Sequence, residues 1–177
     1  MSSEPKLTIL FTRDEIEATV KKLAAEIRQD YHDKRPLLIG VLKGSFMFLA
    51  DLIRLLDFPL EVEFVRLSSY GGGTETSGRI KLVQGVQTKI KDRHVLVVDD
   101  IIDTGLTTAF VLDYLKQKKP ASLKLCTLTD KPARRKTPIN IDYCGLTVPN
   151  KFIVGYGLDW DERFRYLPDI YVMEDED

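Results

Sequence analysis

Cysteine is scarce: only Cys126 and Cys144 occur among the 177 residues. Both lie in apolar, strand-like runs and read as buried free thiols, which excludes a disulfide framework or a thiolate metal site. Long hydrophobic runs are also missing. The most apolar stretch, Ser45 to Leu60, is broken by Asp51, Arg54 and Asp57, so no membrane span is expected. Neither charge sign is in excess. Lys and Arg number 26 against 27 Asp and Glu, a net charge of −1, so no global field draws the chain to nucleic acid or to an anionic membrane. The polar start, Met1 to Lys6, lacks the pattern of a secretory leader, and the expected compartment is the cytoplasm. There is no internal repeat and no low-complexity linker. A G-x-x-x-x-G-K-S/T loop is absent too, which argues against a P-loop nucleotidase.

What is present organises around Val95-Leu96-Val97-Val98-Asp99-Asp100-Ile101-Ile102-Asp103-Thr104-Gly105-Leu106-Thr107-Thr108. Four aliphatic residues in a row read as a strand covered on both faces. Two carboxylates end that run, Asp103-Thr104-Gly105 turns the chain, and Thr107 and Thr108 open a helix to about Lys118. A helix N-terminus offers unpaired N–H groups and a positive dipole end. A small loop there, with Gly105 allowing close approach, is a phosphate cradle, to which Thr104, Thr107 and Thr108 add hydroxyl donors. Carboxylates repel phosphate, so Asp99 and Asp100 are expected to face sugar hydroxyls or a Mg2+ carried by the ligand. A cradle beside acids fits a phosphorylated sugar.

The remaining chain reads as one domain, 1–177, of alternating strands and helices. Leu7 to Phe11 is a strand. Thr12 and Glu15 form a capping box before a helix with Ile16, Val20, Leu23, Ala24 and Ile27 on one face, ending near Tyr31. A buried strand, Leu37 to Leu42, runs into Lys43-Gly44-Ser45 and a helix from Phe46 to about Leu56, a second candidate anion site. Glu61 to Tyr70 and Arg79 to Val83 form a hairpin around the glycine-rich stretch 71–78, read as a lid over about 66–84. Ser122 to Leu128 is a strand leading to Lys131 at its carboxyl end, where open α/β sheets bind ligands. Arg134, Arg135 and Lys136 read as a solvated basic loop in preference to an anion patch. Ile141 to Leu146, Phe152 to Gly155 and Ile170 to Met173 are further strands, and an aromatic, charged loop spans 156–165. His32 and His94 are read as structural.

In order along nearly the whole chain, these motifs resemble the 6-oxopurine, hypoxanthine-guanine branch of the type I phosphoribosyltransferases. The phosphoribosyl motif is similar to Asp99 to Thr108. The pyrophosphate loop, which carries a cis peptide in that family, is similar to Leu42-Lys43-Gly44, the start of the lid to Ser69-Tyr70, and the base-binding segment to Lys151–Tyr156 with Leu158-Asp159. The resemblance implies a mostly parallel sheet flanked by helices, a flexible hairpin lid, and a small base-binding hood made by the N- and C-terminal segments. It implies transfer of ribose 5-phosphate from phosphoribosyl pyrophosphate to N9 of a 6-oxopurine, with Mg2+, in a homodimer or homotetramer. Asp103 would be the general base near purine N7. Lys131 would donate to the 6-oxygen, Phe152 would stack on the base, and Ile153 would act through its carbonyl. Thr104, Gly105, Leu106 and Thr107 would hold the 5′-phosphate, and Asp99 and Asp100 the ribose hydroxyls, directly or through metal-bound water. Asp159 would hold a Mg2+ associated with pyrophosphate, and Lys43, Gly44 and Arg165 would neutralise that leaving group. Two positions depart from the family pattern: Asp99 stands where glutamate is common, and Trp160 where tyrosine is usual.

Two other classes compete. A pyrimidine attenuation regulator on the same fold needs a basic RNA face, which a net charge of −1 does not supply. A phosphoacceptor domain using Asp99 or Asp100 predicts neither the glycine-rich stretch nor the second phosphate loop.

Overall fold

Alternating burial sorts the central strands into two cores. In the computed structural model, which describes residues 5–69 and 80–174, Leu96 and Val98 enter one hydrophobic cluster while Val95 and Val97 enter another. Successive strand side chains point to opposite faces, so His94–Ile102 (β5 below) must be covered on both. The strands in chain order are β1 (Leu7–Phe11), β2 (Leu37–Leu42), β3 (Glu61–Ser69), β4 (Ile80–Gln84), β5 (His94–Ile102), β6 (Ser122–Asp130), β7 (Tyr143–Thr147), β8 (Phe152–Val154) and β9 (Ile170–Met173). The helices are α1 (Arg13–Tyr31), α2 (Phe46–Leu56) and α3 (Leu106–Lys116), with a 3-10 turn at Pro132–Arg134. A six-stranded sheet runs β4-β3-β2-β5-β6-β7, parallel except for β4. A separate three-stranded antiparallel sheet runs β1-β9-β8.

The helices form for legible reasons. Thr12 caps α1 by accepting from the Glu15 backbone N–H, and the Glu15 carboxylate accepts the Thr12 N–H at 2.8 Å. Its apolar stripe, Ile16, Val20, Leu23, Ala24, Ile27 and Tyr31, is buried. In α2 the buried set is Phe48, Leu49, Leu52 and Leu56. Both helices pack on the sheet face that carries Leu38, Leu96 and Val98, and Ile153, Ile170 and Val172 of the small sheet join the same cluster. Val111 and Leu115 of α3 cover the opposite face. Each such fully buried aliphatic side chain contributes about 1.5–3 kcal/mol.

Two expectations need correction. Cys144 is exposed, whereas Cys126 is buried. On β7, an edge strand, the buried Tyr143 faces α1, so Cys144 falls on the other face, beyond the cover of α3. The basic loop after β6 is not simply solvated either: Arg134 pairs with Asp103, and Arg135 pairs with Asp130.

Candidate active site

From β2 the chain passes through α2 outward to β3, and from β5 through α3 to β6 on the other side. Neighbouring strands β2 and β5 therefore send their connections apart, and a crevice opens at their carboxyl ends. Both candidate phosphate loops lie there: Lys43-Gly44 after β2, and Asp103-Thr104-Gly105 after β5. The Leu42–Lys43 peptide is cis. Gly44 is needed for close approach, since a Cβ there would fall 1.8 Å from Asp100 Oδ2. Gly105, the residue before α3, has φ +84°, a left-handed conformation that glycine adopts freely.

The first helical bond of α3 runs from Ala109 N–H to the Gly105 carbonyl. The preceding N–H groups face the loop opening, with only a 3.4 Å contact from Leu106 N–H to Thr104 Oγ1. Behind the loop, three successive carbonyls are held by one segment. Ile102 O accepts from Lys131 N–H and Arg135, Asp103 O accepts from Arg135 Nε, and Thr104 O accepts from the Lys136 and Thr137 N–H groups. With its acceptors turned back, the loop presents donors forward, as an anion cradle requires. Sequence reasoning missed Arg134 and Arg135 because, besides Asp130 at the end of β6, their partners are the Asp103 carboxylate and the Ile102 and Asp103 carbonyls of another loop.

The two acids behave differently. Asp99 is 4% exposed and accepts the Thr108 hydroxyl at 3.2 Å. Thr108 is thus turned inward to Asp99 and is not a ligand donor as expected, whereas Thr107 is exposed at the loop. Burial, then the neighbouring Asp100 charge, pushes the Asp99 carboxyl well above its usual range. Burial also raises Asp100, opposed by its hydrogen bonds and by the Arg165 guanidinium.

A cleft of about 240 Å³ is lined by Lys43, Gly44, Asp100, Asp103, Lys131, Phe152, Ile153, Leu158, Asp159 and Arg165. An adjoining lobe of about 260 Å³ is lined by Gly44, Asp99, Asp100, Asp103, Thr104, Gly105, Thr107 and Thr108. One Asp103 oxygen is buried with no hydrogen-bond partner and lies 3.3 Å from Arg134 Nε. Lys131 is 4% exposed, and burial lowers its pKa while Asp103 opposes the shift. Phe152 offers a half-exposed ring, while Ile153 is buried beside it. Asp159 pairs with Arg165 at 2.9 Å and accepts the Glu162 N–H. Arg165 also donates to the Gly157 carbonyl, and its Nε is buried without a partner among the described residues. Trp160 lies under the Arg163 guanidinium, 4.3 Å from the ring centroid. Ser69 ends β3, but its side chain, Tyr70 and the glycine-rich stretch fall outside the described residues; β3 and β4 flank that segment as an antiparallel pair.

A wider cleft of about 450 Å³ between α1, α2 and residues 166–168 lacks a glycine-bearing loop of this kind and is lined by Arg13, Glu17, Lys21, Asp51 and Arg54, among others. Pairing of Lys21 with Glu17 and of Arg54 with Asp51 leaves those four charges mutually compensated.

The family model described as phosphoribosyl transferase domain matches residues 8–161. A hypoxanthine-guanine phosphoribosyltransferase of Aquifex aeolicus is 49% identical over 171 residues, 96% of each chain. One from Streptococcus pneumoniae is 48% identical, covering 95% of this chain and 93% of its own. The crystal structure of a hypoxanthine-guanine phosphoribosyltransferase from Bacillus anthracis, with a HEPES molecule in its active site, is similar with a TM-score of 0.90 at 43% identity, covering 97% of this chain and all of its own.

Proposed function

The chain belongs to the phosphoribosyltransferase family, and from that premise we propose that it transfers ribose 5-phosphate from phosphoribosyl pyrophosphate to N9 of hypoxanthine or guanine, releasing pyrophosphate, as a step of purine salvage. The observation that carries the reading is the forward-facing donor loop at residues 104–107, set beside Asp100 and Asp103 at the β2/β5 crevice.

Each group then has a physical task. The N–H groups and hydroxyls of Thr104, Gly105, Leu106 and Thr107 take the 5′-phosphate. Asp100, at the junction of the two lobes, orients the ribose hydroxyls, and Asp99 supports it from the buried side. As the bond from C1′ to the diphosphate oxygen breaks, positive charge develops on the ribose. Lys43, the Gly44 backbone and Arg165 stabilise the departing negative charge. Asp103 accepts the purine proton through its carboxylate, whose Oδ1 is buried beside the Arg134 guanidinium. Lys131 donates to the 6-oxygen, and an adenine amino group cannot accept that bond. Phe152 stacks on the base, Ile153 presents its carbonyl, and Trp160 at the rim influences the choice among 6-oxopurines.

Mg2+ fits this donor set. Among the described residues no three His, Cys, Asp or Glu side chains converge on one point, but Mg2+ that takes phosphate oxygens and water needs only one or two protein carboxylates. Asp159 and Asp100, on the walls of the same cleft, would supply them. When bound, the ion would neutralise charge on the diphosphate. Ser69 and Tyr70 would begin the lid, and the β1-β9-β8 sheet would form the hood over the base. A homodimer or homotetramer in the cytoplasm completes the reading.

The test is a steady-state assay with phosphoribosyl pyrophosphate and Mg2+ against hypoxanthine, guanine, xanthine, adenine and uracil. Turnover of 6-oxopurines with adenine and uracil inert is the expected result. Turnover of uracil alone would move the assignment to a pyrimidine regulator, and turnover of no base would remove the enzyme assignment.

A further inference from the structure

Two cations border the part of the cleft assigned to pyrophosphate, and one acid reaches both. Glu162 Oε1 accepts from Lys43 Nζ at 2.8 Å, and Glu162 Oε2 lies 3.5 Å from Arg165 Nη2. Lys43 comes from the loop after β2, whereas Glu162 and Arg165 come from the loop between β8 and β9. That loop is shaped to bring the acid there. Asp161, Glu162 and Phe164 hold φ values of 52°, 60° and 74°, left-handed conformations that side chains other than glycine rarely adopt. The Glu162 N–H is anchored on Asp159 Oδ2 at 2.9 Å, and Arg163 and Trp160 exchange backbone bonds around it.

As a stabilising contact this arrangement counts for little. The Glu162 side chain is 62% exposed, and exposed ion pairs contribute little to stability. Its place matters for another reason. A diphosphate held by Lys43 and Arg165 needs the donors that Glu162 already occupies, and it would meet the carboxylate as a like charge. The Arg165 Nε, buried without a partner, shows that this guanidinium has capacity that Glu162 does not saturate. The exposed glutamate can leave by rotating its own side chain, without disturbing the backbone.

We propose that Glu162 is a built-in competitor for the pyrophosphate subsite. In the free protein its carboxylate holds Lys43 and Arg165. The diphosphate of the substrate displaces it on arrival, and its return weakens the grip on the pyrophosphate product. The inference rests on the functional reading above. Glu162 acts on binding and release and touches no reacting atom.

The experiment is calorimetric titration of pyrophosphate with MgCl2 into the full-length wild type, E162Q and D161N at low ionic strength. E162Q keeps the side chain's size and removes its charge. D161N removes the same charge from an exposed neighbour with no ion pair among the described residues. E162Q is expected to bind pyrophosphate about three- to tenfold tighter, as the loss of one exposed and one partly buried ion pair predicts, and the gain should shrink as NaCl is raised. D161N should stay within about twofold of the wild type. Tighter binding does not follow from structural damage, so the direction of change separates a competitor from a structural residue. Equal or weaker binding by E162Q, or an equal gain in D161N, would overturn the proposal while leaving the functional reading intact. Failure of the wild type to bind pyrophosphate at all would bring down both.

Discussion

Asp103 carries the most specific expectation of any single side chain. One of its oxygens is buried, with only the Arg134 guanidinium at 3.3 Å among the described residues, and its proposed role is to accept a proton in the transition state. Asp103→Asn is therefore expected to lower kcat by on the order of 10²- to 10⁴-fold and to change the melting temperature little, which parallel kinetics and calorimetry would check. Asp99 makes a different prediction, about pH. Burial raises its folded pKa, so the fold favours the protonated form. The stability linked to it is complete below the unfolded carboxyl value of about 3.9 and is lost as pH rises through the higher folded value. Asp99→Asn, neutral at every pH, is expected to melt above the wild type near neutral pH. That advantage should vanish as the solution is acidified towards the unfolded value. A melting-temperature series across pH decides it, and a gain that grows in acid would refute the assignment.

At the scale of elements, the segment after β6 braces the phosphate loop. Arg135 is 18% exposed at its side chain, pairs with Asp130, and holds the carbonyls of Ile102 and Asp103. Arg135→Met leaves the partly buried Asp130 without its cation, at a cost of about 1–3 kcal/mol, and frees two carbonyls to turn toward the cradle. The expected kinetic signature is a raised KM for phosphoribosyl pyrophosphate with a smaller change in KM for hypoxanthine. Equal effects on both substrates would mean that the brace is merely structural. The same segment marks where the sequence stopped being readable. The Val95–Val98 run, the Thr12 and Glu15 capping box and the glycine turns announced their elements, because each signal lies within a few residues of what it controls. The arginines at 134 and 135 read as solvated because, apart from Asp130, their partners lie some thirty positions earlier, and two of them are backbone carbonyls. Cys144 looked buried because an apolar run does not tell which face of an edge strand a helix will cover. The strand Ile170–Met173 was visible, yet its pairing with β1, more than 150 residues away, had no local trace.

For the molecule as a whole, the two sheets share one core. Ile153, Ile170 and Val172 belong to the same cluster as Leu38 and Leu96, so the small sheet is expected to unfold together with the large one. Ile170→Ala, at a fully buried site, is expected to cost about 2–5 kcal/mol and to move a single calorimetric transition downward. A second, earlier transition would show the sheets to be separate units.

The division between the sheets has a consequence for diversification. On the proposed reading the 5′-phosphate and ribose meet loops of the large sheet, whereas Phe152 and Ile153 stand on the small sheet, and Asp159, Trp160 and Arg165 follow on its connecting loop. Among the proposed base contacts Asp103 and Lys131 are anchored to the large one. Residues 149–158 can thus be transplanted from a relative with another nucleobase taste, together with a change at position 131, while the cradle at 104–107 and the diphosphate groups Asp159 and Arg165 stay in place. On that reading the grip on the sugar phosphate sits with one sheet, and much of the choice of acceptor sits with the other.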